Sequence, residues 1–147
     1  LHTVVAHLGL MHAGRVRQVQ RLADFIAAEV PDDEPLIVAG DFNDWGEKLD
    51  PAMHAMGLQR ARVPTKGARI PAVGDAPLNA SVNDRLAGLA GFMPMLDKPT
   101  FPSRVPVFAL DRVYVRGLRC RATYVPRGPA WTRMSDHLPL VAEFERA

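Results

Sequence analysis

The ten residues Leu36-Ile37-Val38-Ala39-Gly40-Asp41-Phe42-Asn43-Asp44-Trp45 constrain this chain more than any other stretch. Four apolar residues bounded by a glycine read as a short buried strand. The glycine opens onto a carboxylate and a carboxamide. Side chains alternate along an extended chain, so Asp41 and Asn43 point to the same side. In α/β proteins ligands bind beyond the carboxyl ends of strands, which is where this pair would stand. The stretch predicts a strand end that holds a metal, a phosphate, or both.

The flanking sequence supplies a sheet for that strand. Thr3 to Leu8 reads as a strand ending in His7-Leu8-Gly9. Residues 15–30 carry apolar side chains at Val16, Val19, Leu22, Ala23, Ile26 and Val30, the spacing of one helix face, and Pro31 closes the segment. Strand, helix and strand in this order predict a parallel pair joined by a right-handed crossover. Beyond the central stretch, Pro51 to Met56 reads as a short helix and Leu58 to Val63 as a strand. Residues 64–102 are rich in proline and glycine, an irregular insertion or lid, with one helix expected from a Ser81 cap through Arg85-Leu86 to Ala90. Strands are expected at about Ala109 to Arg116, Cys120 to Val125 and Leu138 to Phe144, with Gly117 turning the first into the second.

Composition sets the outer bounds. With 147 residues, 48% hydrophobic and 23% charged, the chain suits one folded domain with a real core. No apolar run is long enough to cross a bilayer and no secretory signal is visible; the cytoplasmic expectation comes from the cysteine usage. The single cysteine, Cys120, cannot form an internal disulfide, and its place in a strand favours a structural role. Net charge is only +2. Six arginines (112, 116, 119, 121, 127 and 133) crowd one late segment. They read either as a solvated strand face and loop or as a phosphate-attracting rim.

Four pieces carry candidate chemistry: His7, the Asp41–Asn43 pair, Asp111, and Asp136-His137. Each alone has a bland reading: an Asp–Asn pair can be turn chemistry, a lone histidine a core or surface residue, Asp136 a turn cap, and Asp111 a buried acid paired with an arginine. Several familiar motifs are excluded. A calcium loop beginning at Asp41 would need a glutamate where Ala52 stands. No Gly-x-Ser-x-Gly elbow, phosphate-binding Gly-Lys-Ser/Thr loop or His-Glu-x-x-His helix is present.

Together the pieces are specific. His7-Leu8-Gly9, Gly40-Asp41-Phe42-Asn43, Asp111-Arg112-Val113 and Ser135-Asp136-His137-Leu138-Pro139 occur in the order and context of one family. The chain resembles the endonuclease/exonuclease/phosphatase superfamily, which includes DNase I, exonuclease III-like repair nucleases, neutral sphingomyelinases and inositol-polyphosphate phosphatases. Gly-Asp-Phe-Asn-Asp-Trp and Thr100-Phe101-Pro102-Ser103-Arg104 with Leu110-Asp111-Arg112 look like the bacterial branch often found beside cardiolipin synthases.

The resemblance implies a DNase I-like four-layer α/β sandwich, of which this chain supplies roughly the carboxy-terminal half. It implies a Mg²⁺- or Mn²⁺-dependent phosphoesterase acting on a nucleic acid, a phospholipid headgroup or a small phosphoester. Asp41 would orient or deprotonate the attacking water, or contact the metal. Asn43 would donate to the phosphoryl oxygens and also stand near the metal, and Asp136 would help hold the cation. His137 would be a general base or electrostatic stabiliser oriented by Asp111. His7 would bind the scissile phosphate, and Arg104 is a further candidate phosphate contact, otherwise a loop cation.

The family's amino-terminal asparagine and metal-binding glutamate have no counterpart in this sequence. Weak metal binding and little activity are therefore expected of the 147 residues alone. A missing amino-terminal half or a second chain would complete the sandwich. The rival expectation is a non-catalytic half-domain that acts as a binding or scaffold module through self-association.

Overall fold

A computed structural model describes residues 1–46, 48–62 and 98–147. The expected Ser81 to Ala90 helix and most of the proposed 64–102 lid lie outside the described residues. The described elements are β1 (His2–His7), α1 (His12–Glu29), β2 (Leu36–Asp41), α2 (Asp50–Ala55), β3 (Gln59–Arg60), β4 (Asp111–Arg116), β5 (Leu118–Tyr124), α3 (Pro129–Met134) and β6 (Val141–Arg146).

Strands β1 and β2 are parallel, running from His2 opposite Leu36 to His7 opposite Asp41. Strand β4 pairs antiparallel with β2 and places Asp111 opposite Asp41; β3 pairs with the far side of β4. The order is β1-β2-β4-β3, while β5 and β6 form a separate antiparallel pair with a bulge between Cys120 and Ala122.

Alternation gives the four-stranded sheet two distinct faces. Leu36, Val38 and Tyr114 are buried with Val19, Ile26 and Val30 of the α1 region and with Met53 of α2, and Val4 and Ala6 pack against this cluster. Phe42 joins them, its ring meeting Tyr114 edge to face with centroids 5.2 Å apart. The opposite face carries Thr3, Val5 and His7 on β1, Ile37, Ala39 and Asp41 on β2, and Asp111, Val113 and Val115 on β4. Val115 is buried, whereas Val5 on the edge strand is 79% exposed. This second face is closed over β4 and open over β1.

The main departures from sequence expectation have local causes. Helix α1 begins at His12, four residues before Val16, where the apolar periodicity starts. Arg15 there is buried, because its guanidinium turns back onto the carbonyls of Gly9 and Leu10 and ties the helix start to β1. Strand β3 is a two-residue edge; Val63 lies outside the described residues. Helix α3 carries too short an apolar pattern to be read from sequence. Gly117, at φ +70, ends β4 without making a hairpin: the chain passes into the second sheet, and a Cβ there would lie 3.3 Å from the Pro35 Cα.

Candidate active site

The site starts from a row of three residues. His7, Asp41 and Asp111 are register partners across β1, β2 and β4, so their side chains leave the same face side by side. Gly40 permits this close approach. It adopts φ +144, and a Cβ would fall 1.8 Å from the carbonyl oxygen of Ala6 on the neighbouring strand. After Asp41 the chain must turn away from the sheet. Asn43 does so with φ 48, a left-handed conformation that asparagine tolerates. The Asp41 Oδ1 accepts from the Asn43 N–H at 2.8 Å, and the Asn43 Nδ2 donates to the Leu8 carbonyl at 2.7 Å. Asn43 is buried, and its carboxamide ties the β1 and β2 ends together.

His137 enters from elsewhere. It lies between α3 and β6, four residues before β6 begins, and not at a strand end. Two segments are stapled to hold it. Ser103 donates its N–H to the Asp136 carbonyl at 2.6 Å and its hydroxyl to the Ser135 carbonyl at 2.8 Å, and the Leu138 N–H donates to the Thr100 carbonyl at 2.8 Å. The Phe101 ring packs 4.8 Å from the imidazole, and Trp45 and Phe108 extend this aromatic edge, 4.7 Å apart.

These contacts bring His137 Nδ1 to 2.7 Å from Asp111 Oδ2 and leave its Nε2 3.9 Å from Asp41 Oδ2. The Thr100 hydroxyl also donates to Asp111 Oδ2, at 2.6 Å. Nδ1–H held by Asp111 makes Nε2 the acceptor nitrogen of the neutral ring. Partial burial alone would lower the His137 pKa. The hydrogen bond and charge of Asp111, with the charges of Asp41 and Asp136, outweigh that effect and raise it above the ordinary histidine value. His7 Nε2 stands 3.6 Å from Asp41 Oδ2, and its side chain is 77% exposed.

Asp136 and Arg104 are exposed and stand beside this centre, not within the row; together with Ser103 and Arg133 they line an adjoining cleft. Asp41, Asn43 and Asp136 offer hard oxygen donors, the type that Mg²⁺ or Mn²⁺ takes. Among the described residues, however, no group of three or more His, Cys, Asp or Glu side chains is arranged to hold a metal ion. The donor type fits and the donor number falls short, so these residues alone do not make a metal centre.

The clustered arginines require correction. Arg112 belongs neither to a solvated face nor to a phosphate rim. It is 4% exposed, with Nη1 2.8 Å from Asp44 Oδ2 and Nη2 2.6 Å from the Asp44 carbonyl oxygen, and Asp44 is 1% exposed. Burial would raise the Asp44 pKa, but the Leu49 backbone N–H and Arg112 together hold it below the usual carboxylate range. Asp44 carries little sequence signal of this role. Alternation was the available signal: if Asp111 faces the site, Arg112 must face the core and needs a buried acid. Thr100, whose hydroxyl donates to Asp111, belongs to the Thr100–Arg104 motif but carries no sequence signal of that role.

Comparisons with known proteins agree with this architecture. The chain is 34% identical to the Escherichia coli K12 protein YbhP over 143 residues, covering 97% of this chain and 46% of YbhP. A solved Enterococcus faecalis V583 protein superposes with a TM-score of 0.62 at 18% identity, over 99% of this chain and 50% of that one. The mannosyl-6-phosphatase of Bacteroides thetaiotaomicron VPI-5482 gives 0.57 at 16% identity, over 97% and 50%. The fold is therefore DNase I-like mixed α/β, and the chain spans about half the length of the relatives it matches. The profile of the Endonuclease/Exonuclease/phosphatase family matches residues 3–137, and the chain belongs to that family.

Proposed function

We propose that these residues form part of the active site of a phosphoester hydrolase, in which His137, held by Asp111, and Asp41 activate a water for in-line attack on phosphorus. The observation that carries this reading is the His137 Nδ1–Asp111 Oδ2 contact at 2.7 Å, with Asp41 Oδ2 3.9 Å from the other ring nitrogen. A water between Nε2 and Asp41 would donate to both and direct a lone pair outward. His137 would take the proton. The Asn43 amide has a second N–H beyond the one given to Leu8, and it would donate to the phosphoryl oxygens as charge builds. Exposed His7 would swing onto the same phosphate, and Arg104 would hold the substrate's anionic flank. Family membership and the phosphatase among the structural neighbours support phosphoester chemistry.

A Mg²⁺ or Mn²⁺ ion held through Asp136, Asp41 and Asn43 would add charge stabilisation, with further ligands from outside these residues. Substrate candidates remain a nucleic acid, a phospholipid headgroup and a small phosphoester. In the full natural polypeptide, Asp41→Asn and His137→Ala should each remove most hydrolysis of bis-p-nitrophenyl phosphate while leaving the melting temperature nearly unchanged. Strong unfolding by both variants would instead assign them structural roles.

The second reading, a binding or scaffold module, has its own support. Val5 on β1 and Leu10 and Met11 in the connection from β1 to α1 are exposed, apolar surface suited to more of the same polypeptide or a second copy. Light scattering that found a monomer at high concentration, for the 147 residues and for the full polypeptide alike, would remove self-association.

A further inference from the structure

Two arginines meet in the cleft beside the site, while several others are tied to acids. Arg112 pairs with Asp44, Arg116 with Asp32, Arg119 and Arg121 with Glu145, and Arg60 with Asp50. The side chains of Arg104 and Arg133 have no hydrogen bond or ion pair among the described residues, and the same is true of the exposed Arg17, Arg21, Arg127 and Arg146; what sets Arg104 and Arg133 apart is their place. Both line one cleft of about 440 Å³, together with Ser103, Thr132 and Asp136. The Asp136 carboxylate is in the cleft, yet neither guanidinium is paired with it; its Oδ1 lies 3.4 Å from the Ser135 hydroxyl.

The cleft is built rather than incidental. One wall is the 102–104 segment, which supplies Arg104; the other is the end of α3 and the residues after it, which supply Arg133. The two Ser103 hydrogen bonds, to the carbonyls of Asp136 and Ser135, fix the walls to each other. Asp136, which lines the cleft, directly precedes His137, and its charge acts on that imidazole.

We propose that this cleft is a second anion subsite, in which Arg104 and Arg133 hold a phosphate that is not the one cleaved. The proposal rests on the phosphoesterase reading and names its substrate class: a phosphoester whose organic part carries a further phosphate. Each guanidinium presents five N–H donors in a planar fork, the geometry that matches phosphate oxygens. At about 440 Å³ the cleft is large enough to admit a phosphate.

The test is calorimetric titration of the full natural polypeptide with 1,3-propanediol bisphosphate and with propyl phosphate. The bisphosphate should bind about tenfold more tightly or better, as a charge-assisted contact predicts. Arg133→Ala should close most of that gap. Arg127→Ala, which removes an exposed arginine from the same segment, should leave it intact. Arg104→Ala gives a second, independent variant if Arg133→Ala does not fold. A 5′-phosphorylated dithymidine monophosphate compared with its unphosphorylated form reads whether the second phosphate comes from a nucleotide chain; a gap in either pair supports the subsite. Equal affinities in both pairs, or a gap that survives both arginine variants, overturns it. Binding with the gap but no hydrolysis would reject the phosphoesterase reading and keep the subsite; hydrolysis without the gap would do the reverse.

Discussion

His137 shows how one side chain acquires its properties from others. Its imidazole lies 2.7 Å from Asp111 and within reach of Asp41, and these acids raise its pKa despite burial. The raised value has two consequences of opposite sign. For stability, the protonated ring is favoured in the folded state. That contribution is full below the ordinary histidine value of about 6.5 and is lost as pH rises through the raised value. For catalysis, a general base must be unprotonated, so turnover should climb with pH through the same raised value. Asp111→Asn should move the acidic limb of the kcat/KM profile to lower pH and lower the plateau, because the tautomer is no longer fixed. A profile unmoved by this change would exclude His137 as the titrating base. At this scale the sequence was informative: His7, Asp41, Asn43, Asp111 and His137 could each be picked out. Thr100 could not, because a threonine hydroxyl carries no signal until Asp111 is seen 2.6 Å away.

The elements depend on an ion pair that joins the turn after β2 to the start of β4. Asp44 and Arg112 are both buried, and Arg112 also binds the Asp44 carbonyl. Removing one partner leaves the other charged and desolvated, which typically costs about 3–5 kcal/mol. Arg112→Ala should therefore lower the denaturation midpoint strongly, whereas Arg119→Ala, at an exposed pair with Glu145, should change it little. Similar midpoints for the two variants would contradict this account. The β-α-β unit was legible because a 16-residue apolar period and a four-residue apolar run are strong signals. Its precise ends were not. The α1 start depends on Arg15 folding back onto Gly9 and Leu10, a tertiary contact that no local propensity encodes.

At the scale of the whole molecule, the open face over β1 and the short count of metal ligands point the same way. The 147 residues span about half of YbhP and of the solved relatives, and the described ones offer hard oxygen donors without a cluster of three. The 147-residue chain by itself should bind Mn²⁺ weakly, at millimolar or poorer affinity in calorimetry, and hydrolyse bis-p-nitrophenyl phosphate far more slowly than a full-length relative. Equal rates would show that these residues suffice. What the sequence determined by itself was the parallel unit, the strand end at Gly40-Asp41-Phe42-Asn43 and the family, since apolar period, glycine placement and motif order are all properties of the linear chain. The family resemblance already implied that Asp111 orients His137; the tertiary structure decided how the two are brought together, that Arg112 is a core residue bound to Asp44, and that Arg104 and Arg133 share a cleft. Those pairings join residues 26, 68 and 29 positions apart. Contacts across such separations are fixed by how the two sheets and the intervening loops pack, and no local pattern in the chain records them.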